Sequence, residues 1–205
     1  ETACIGYPVG ERFLTPVSLR YDGPRRRTLA CLAAGGTVVF SPDGDQAPTV
    51  LALLERHDVR HFACVPIQAH ALAALLPAGR QHFAQMRCLR LSAGPSDGPL
   101  HRLLRERVCS QVLISYGCTE LGPMTVAPPD LVARLPHSVG RPMPGIDVQV
   151  VSDQDVPLPP DTVGLVRVRA VGMPQGYHDD PAASAQGFRD GWFYTRDIGR
   201  YLPDG

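Results

Sequence analysis

A chain of 205 residues can bury one sizeable core, or a core plus a small satellite domain. Lys+Arg and Asp+Glu balance at 20 each, which argues against a nucleic-acid or membrane-surface partner. The six cysteines (4, 31, 64, 88, 109, 118) form no C-x-x-C pair and lie mostly in apolar runs, a pattern of reduced, buried thiols in a cytoplasmic protein rather than a disulfide framework or zinc site.

Along the chain, Pro24 suits a first helical turn, and Arg25 to Ala34 reads as a helix closed by Gly35-Gly36. Thr37 to Phe40 is a short buried strand, followed by the turn Ser41-Pro42-Asp43-Gly44. Val50, Leu51, Leu53 and Leu54 give a second helix its apolar face. His61 to Val65 is the next strand, ended by Pro66, and Leu72, Leu75 and Leu76 mark a helix stopped by Pro77 and Gly79. Cys88 to Leu91 is a third strand. Leu100, Leu103, Leu104 and Val108 form the clearest amphipathic helix, and Gln111 to Ile114 is the fourth strand. Strands alternating with helices make βαβ units, so residues 1–125 are predicted to be an α/β subdomain with a mostly parallel sheet covered on both faces.

Beyond about residue 125 the punctuation changes. Pro128-Pro129 and Pro136 mark an irregular connection, and Ile146 to Val150 and Val163 to Val171 alternate as strands. Trp192 to Tyr194 and Ile198 to Leu202 add further β-like runs. Residues 126–205 are therefore predicted to be a small β-rich subdomain, an antiparallel sheet or a distorted barrel. No apolar run approaches the ~20 residues of a transmembrane helix. The start at Glu1 without Met and the closing turn dipeptide Asp204-Gly205 read as an internal piece of a longer polypeptide.

In open parallel sheets, ligands bind outside the carboxyl ends of the strands. Two such ends are rich in small or polar residues: Ser92-Ala93-Gly94-Pro95-Ser96, and a loop Tyr116-Gly117-Cys118-Thr119-Glu120 after Ser115. The second offers a stacking ring, a glycine that lets backbone approach a ligand, a hydroxyl, and a carboxylate suited to Mg²⁺. Those are tools for handling a nucleotide, and both loops are expected on one rim.

The stretch Tyr116 to Glu120 resembles the Y-G-x-T-E motif of the adenylate-forming (AMP-binding) superfamily, the acyl-CoA synthetases and peptide-synthetase adenylation domains. Further matches follow in order. Ser138 to Gly145 is similar to S-V-G-x-P-x-P-G, and Gly164 to Val168 to G-E-L-x-V, with Leu165 in place of the usual Glu. Gly176 to Pro181 is similar to G-Y-x-N-D-P, and Gly191 to Gly199 to G-W-F-x-T-G-D-x-G. Leu32 to Val39 and Val65-Pro66 fit the upstream landmarks L-x-x-G-x-x-V and V-P.

The resemblance implies an acid–thiol ligase. It would join a carboxylic acid, fatty or aryl, to ATP as an acyl-adenylate and pass the acyl group to coenzyme A. It implies that Tyr116 stacks on adenine, with Ala93, Gly94, Pro95 and Gly117 around the same nucleotide. Thr119 would touch the α-phosphate, Glu120 would hold Mg²⁺, and Asp197 would accept from both ribose hydroxyls of ATP or AMP. Leu91, Ser115, Pro123 and Met124 would line the acyl pocket. The Ser/Thr/Gly-rich phosphate loop with its Lys, and a mobile domain with the catalytic Lys, would lie on N- and C-terminal parts of the same polypeptide outside this chain.

Arg196 stands where the family has glycine; a positive φ there would strain it, and its guanidinium is in reach of Asp197 as a competitor for ribose. Two other readings stay open: an adenylation domain loading a carrier protein, and a non-catalytic nucleotide-binding relative. Blander roles also apply. Arg25-Arg26-Arg27 reads as a solvated helix face, Trp192 as a packing residue, and Cys118 has no base placed beside it by sequence. His57 and His61 straddle a helix-to-strand change, which argues against a shared metal.

Overall fold

The computed structural model describes residues 9–42 and 46–203; Cys4, the Asp43-Gly44 half of the expected turn and the closing Asp204-Gly205 lie outside them. Parallel strands β1 (Arg12–Leu14), β2 (Thr37–Val39), β3 (His61–Cys64), β4 (Cys88–Leu91) and β5 (Val112–Cys118) build the centre. They are connected through α1 (Asp22–Ala33), α2 (Ala47–Arg56), α3 (Pro66–Leu75) and α4 (Gly98–Arg107). Strands β6 (Gly122–Ala127) and β7 (Arg141–Pro142) return antiparallel, giving a seven-stranded sheet of order β2-β1-β3-β4-β5-β6-β7. The α/β reading therefore holds. Pro66 both ends β3 and opens α3, because it has no N–H to give either element. Asp97 caps α4 by accepting from the Leu100 N–H at 3.0 Å.

Strand alternation sorts the side chains onto two faces. Phe62, Leu89 and Ile114 point into the main core, where Leu54, Leu72 and Leu104 from three helices meet them. Each such leucine contributes about 1.5–3 kcal/mol by leaving water. The other face carries Phe13, Ala63, His61 and Arg90, with Cys31 of α1 packed on the first two. Here Arg87 and His61 both approach the Glu11 carboxylate, at 3.1 and 3.6 Å. Apolar side chains on and beside α1, among them Tyr21, Leu29, Leu32 and Phe40, are exposed.

A second sheet, β10-β11-β9-β8, is antiparallel throughout: β8 (Ile146–Val151), β9 (Gly164–Ala170), β10 (Phe188–Arg189) and β11 (Trp192–Gly199). It is the open antiparallel sheet rather than the distorted barrel; four strands with a two-residue edge cannot curl far enough to pair their ends. Met124 of the first sheet packs against Val166 and Val168 of the second, so the two sheets share an apolar seam. On the outer face, Trp192 and Tyr194 lie beneath Arg167 and Arg189, with guanidinium carbons 4.7 Å and 3.9 Å from the respective ring centroids.

Four details depart from the sequence expectation. Strand β1 was not anticipated, being only three residues long. Strand β5 does not stop at Ile114 but continues to Cys118, because β6 pairs with it and extends the ladder. Two short helices, α5 (Pro129–Arg134) and α6 (Pro181–Gly187), replace irregular chain, each opened by a proline at its first position. Finally, the runs around Trp192 and Ile198 are one strand, interrupted by a bulge between Tyr194 and Ile198.

His61 and His101 are both buried, and burial pushes both imidazole pKa values down. The fold holds the neutral form, so this stabilisation is complete above the unfolded value near 6.5 and is lost as pH falls through the lower folded values. The urea midpoint should therefore drop between pH 7.5 and pH 5.5. His101→Gln should flatten that drop; an equally steep fall in the variant would show that His101 does not contribute to it.

Candidate active site

A cleft of about 500 Å³ opens at the carboxyl ends of β3, β4 and β5. Ala93, Ser115, Gly117, Thr119 and Pro123 line it, so both loop regions meet on one rim. Gly94 and Pro95 follow on the exposed loop beside Ala93, which itself takes a left-handed φ of 59°. Leu91 and Met124 stand apart from this cleft: Leu91 is in the main core and Met124 in the seam between sheets.

Tyr116 and Asp197 form a second group, apart from Glu120. Ser115 and Gly117 face the cleft while Tyr116, one residue between them on β5, turns the other way toward the second sheet. Its hydroxyl donates to Asp197 Oδ2 at 2.5 Å. Burial and then this carboxylate raise the phenol well above its ordinary pKa. Asp197 sits on the β11 bulge, a device that re-aims a side chain out of the pleat. Its N–H donates to Thr195 Oγ1 at 3.1 Å, and that hydroxyl donates to the Val166 carbonyl, so the bulge is tied back to β9.

Arg196, inside the bulge, has φ 67°, the left-handed conformation that strains a residue with a Cβ. Its guanidinium does not compete for Asp197. It turns away and donates to Gln186 Oε1 at 3.2 Å.

Glu120 occupies the turn between β5 and β6, where Tyr177 donates to its Oε1 at 2.6 Å. Burial alone would raise this carboxyl, but hydrogen bonds from Tyr177, from its own backbone N–H and from the Cys118 thiol hold it below the usual range. Burial pushes that thiol up to about 11, so it is protonated at neutral pH and a poor nucleophile.

Arg25 and Arg26 are the solvated part of the triplet, exposed and paired with Asp22. Arg27 is the exception: it is 7% exposed, lines the cleft and donates from Nη2 to Ser92 Oγ at 3.3 Å. The signal was present: Pro24, Arg27, Thr28 and Cys31 repeat at i, i+3, i+4 and i+7, and all four are buried. Tyr177 was passed over because its partner lies 57 residues away in sequence.

The AMP-binding enzyme family matches residues 2–178 of this chain. The chain belongs to that family. It is 32% identical over 200 residues to an indoleacetate–CoA ligase of Aromatoleum aromaticum, covering 95% of this chain and 38% of that protein. A feruloyl-CoA synthase of Amycolatopsis is 30% identical over 86% of this chain and 36% of its own length. Among solved structures, the amide bond synthetase McbA of Marinactinospora thermotolerans superposes with a TM-score of 0.87 at 32% identity, over all of this chain and 43% of that one. This AMP-binding chain thus spans about two fifths of the length of the relatives it matches.

The Tyr116–Asp197 bond makes a prediction for the AMP-binding chain. In a 295 nm titration, Asp197→Asn should bring one tyrosine back toward the ordinary value near 10. If the variant and the parent titrate alike, the carboxylate is not what holds the phenol.

Proposed function

We propose that this chain is the nucleotide-holding part of an acid–thiol ligase of the cytoplasm. The ligase activates a fatty or aryl carboxylic acid with ATP, releases pyrophosphate, and transfers the acyl group from AMP to coenzyme A. The observation that carries this reading is the placement of two carboxylates around the hairpin: Asp197 accepts from Tyr116, and Glu120, held by Tyr177, follows directly on Thr119, which lines the cleft. The names of the relatives support it, since both are ligases of aromatic acids to coenzyme A. A second reading, an amine in place of the thiol, is favoured by the likeness to McbA.

In this reading the cleft receives the acid, with Ser115 and Pro123 along its wall and Arg27 at its side, while Ala93 and Gly117 on the same rim meet the nucleotide. Excluding water there keeps the activated acyl group from hydrolysis. The adenosine lies along the seam. Tyr116 offers its ring, Asp197 accepts from the ribose hydroxyls, and Thr119 reaches the α-phosphate. Among the described residues no group of three His, Cys, Asp or Glu could hold a metal by itself. That fits Mg²⁺, which takes one or two carboxylates together with substrate phosphates and waters. Glu120, kept ionised by its hydrogen bonds, would hold it, and when bound the ion would neutralise phosphate charge. All 20 basic residues of the chain are arginine, so any lysine chemistry comes from elsewhere in a longer polypeptide. The exposed apolar side chains around α1 support such a continuation.

The test uses acid-dependent ATP–pyrophosphate exchange by the full-length enzyme. Glu120→Gln keeps the shape but loses the charge, so the adenylation rate should fall much more than nucleotide affinity. Asp197→Ala should raise the KM for ATP by roughly 10- to 150-fold, the loss of a charge-assisted hydrogen bond worth about 1.5–3 kcal/mol. Unchanged exchange in both variants would remove the nucleotide site from this seam.

A further inference from the structure

Tyr177 belongs to the segment between β9 and α6, yet its hydroxyl ends on Glu120, in a turn of the other sheet. The hairpin turn at 119–121 does not by itself fix a glutamate side chain, which has three rotatable bonds. The phenol that meets it is held far more firmly. The Tyr177 ring packs edge-on against Phe188, with centroids 5.4 Å apart, and Phe188 packs in turn on Phe193 at 4.9 Å. The Tyr177 N–H donates to Ser184 Oγ at 2.7 Å, and Ser184 sits in α6, whose start Asp180 caps through the Ala183 N–H at 2.8 Å. A rigid turn therefore presents one hydroxyl to one carboxylate oxygen.

That arrangement differs from an ordinary surface contact. The phenol is neutral, so it orients the carboxylate without cancelling its charge, and it engages Oε1, while the Cys118 thiol donates to the same carboxylate. Groups that hydrogen-bond a metal's carboxylate from outside set its orientation, and losing one typically weakens metal binding about 10- to 100-fold. We propose that Tyr177 is the positioning residue of this site: by holding Oε1 it orients the Glu120 carboxylate that would hold a divalent cation accompanying the nucleotide. The inference rests on the ligase reading above and adds to it a residue for which no role was evident in the sequence.

Tyr177→Phe separates this role from packing, because the ring and its contact with Phe188 remain and only the hydroxyl is lost. In the full-length enzyme with ATP present, Mn²⁺ binding followed by electron paramagnetic resonance reads the site without turnover. The Mn²⁺ midpoint should rise roughly 10- to 100-fold in Tyr177→Phe while the thermal melt without nucleotide is nearly unchanged. In a Glu120→Gln background the same change should add nothing further. An unmoved midpoint in Tyr177→Phe, with Glu120→Gln shifted, overturns the positioning role and leaves the ligase reading intact. Additive shifts in the double variant also overturn it. If Glu120→Gln itself leaves the midpoint unmoved, the cation assignment fails, and the role of Tyr177 fails with it.

Discussion

The site depends on the closeness of β5 to β6 at Gly117. A Cβ at this position would stand 2.2 Å from the Gly122 carbonyl oxygen and 2.8 Å from the Pro123 Cα, so no other residue fits without opening the ladder. The register shifts between Tyr116 and Gly117, and the turn at 119–121 follows directly. This one tight crossing lets a single hairpin show Ser115 and Gly117 to the cleft, Tyr116 to the second sheet, and Glu120 to Tyr177. In the proposed reading, alternation along this extended strand would separate acid from nucleotide.

The seam between the sheets is apolar in its middle and polar at its edge. Met124, Val166 and Val168 exclude water from the contact, and two phenol–carboxylate bonds close it on the hairpin side. Each bond orients its carboxylate, as a preorganised binding site requires. The strain at Arg196 belongs to the same economy of placement. The β11 bulge that turns Asp197 outward requires a left-handed residue beside it, and here that residue is an arginine anchored by Gln186.

Much of this was legible in the sequence. The helices and most strands of the parallel sheet follow from apolar periodicity and from prolines at helix starts, and ordered motifs pointed to the AMP-binding family. What escaped prediction has a common physical origin. Strand β1 is too short to carry a pattern, and the true length of β5 depends on a partner strand that no local rule supplies. The openness of the second sheet is a matter of strand count and tilt, which alternation does not encode. Arg27 was misread because charge outweighed a burial period that was present, and Tyr177 because a hydrogen bond between distant segments leaves no spacing to read.

The central claim is that the hairpin divides the ligands, acid on its Ser115 face and adenosine on its Tyr116 face. A crystal structure of the full-length enzyme with a non-hydrolysable acyl-adenylate analogue tests it most directly. The ribose hydroxyls should lie within hydrogen-bonding distance of Asp197 and the acyl group in the cleft between Ser115 and Arg27. An analogue bound away from Asp197, or one whose acyl group leaves the cleft empty, would contradict it.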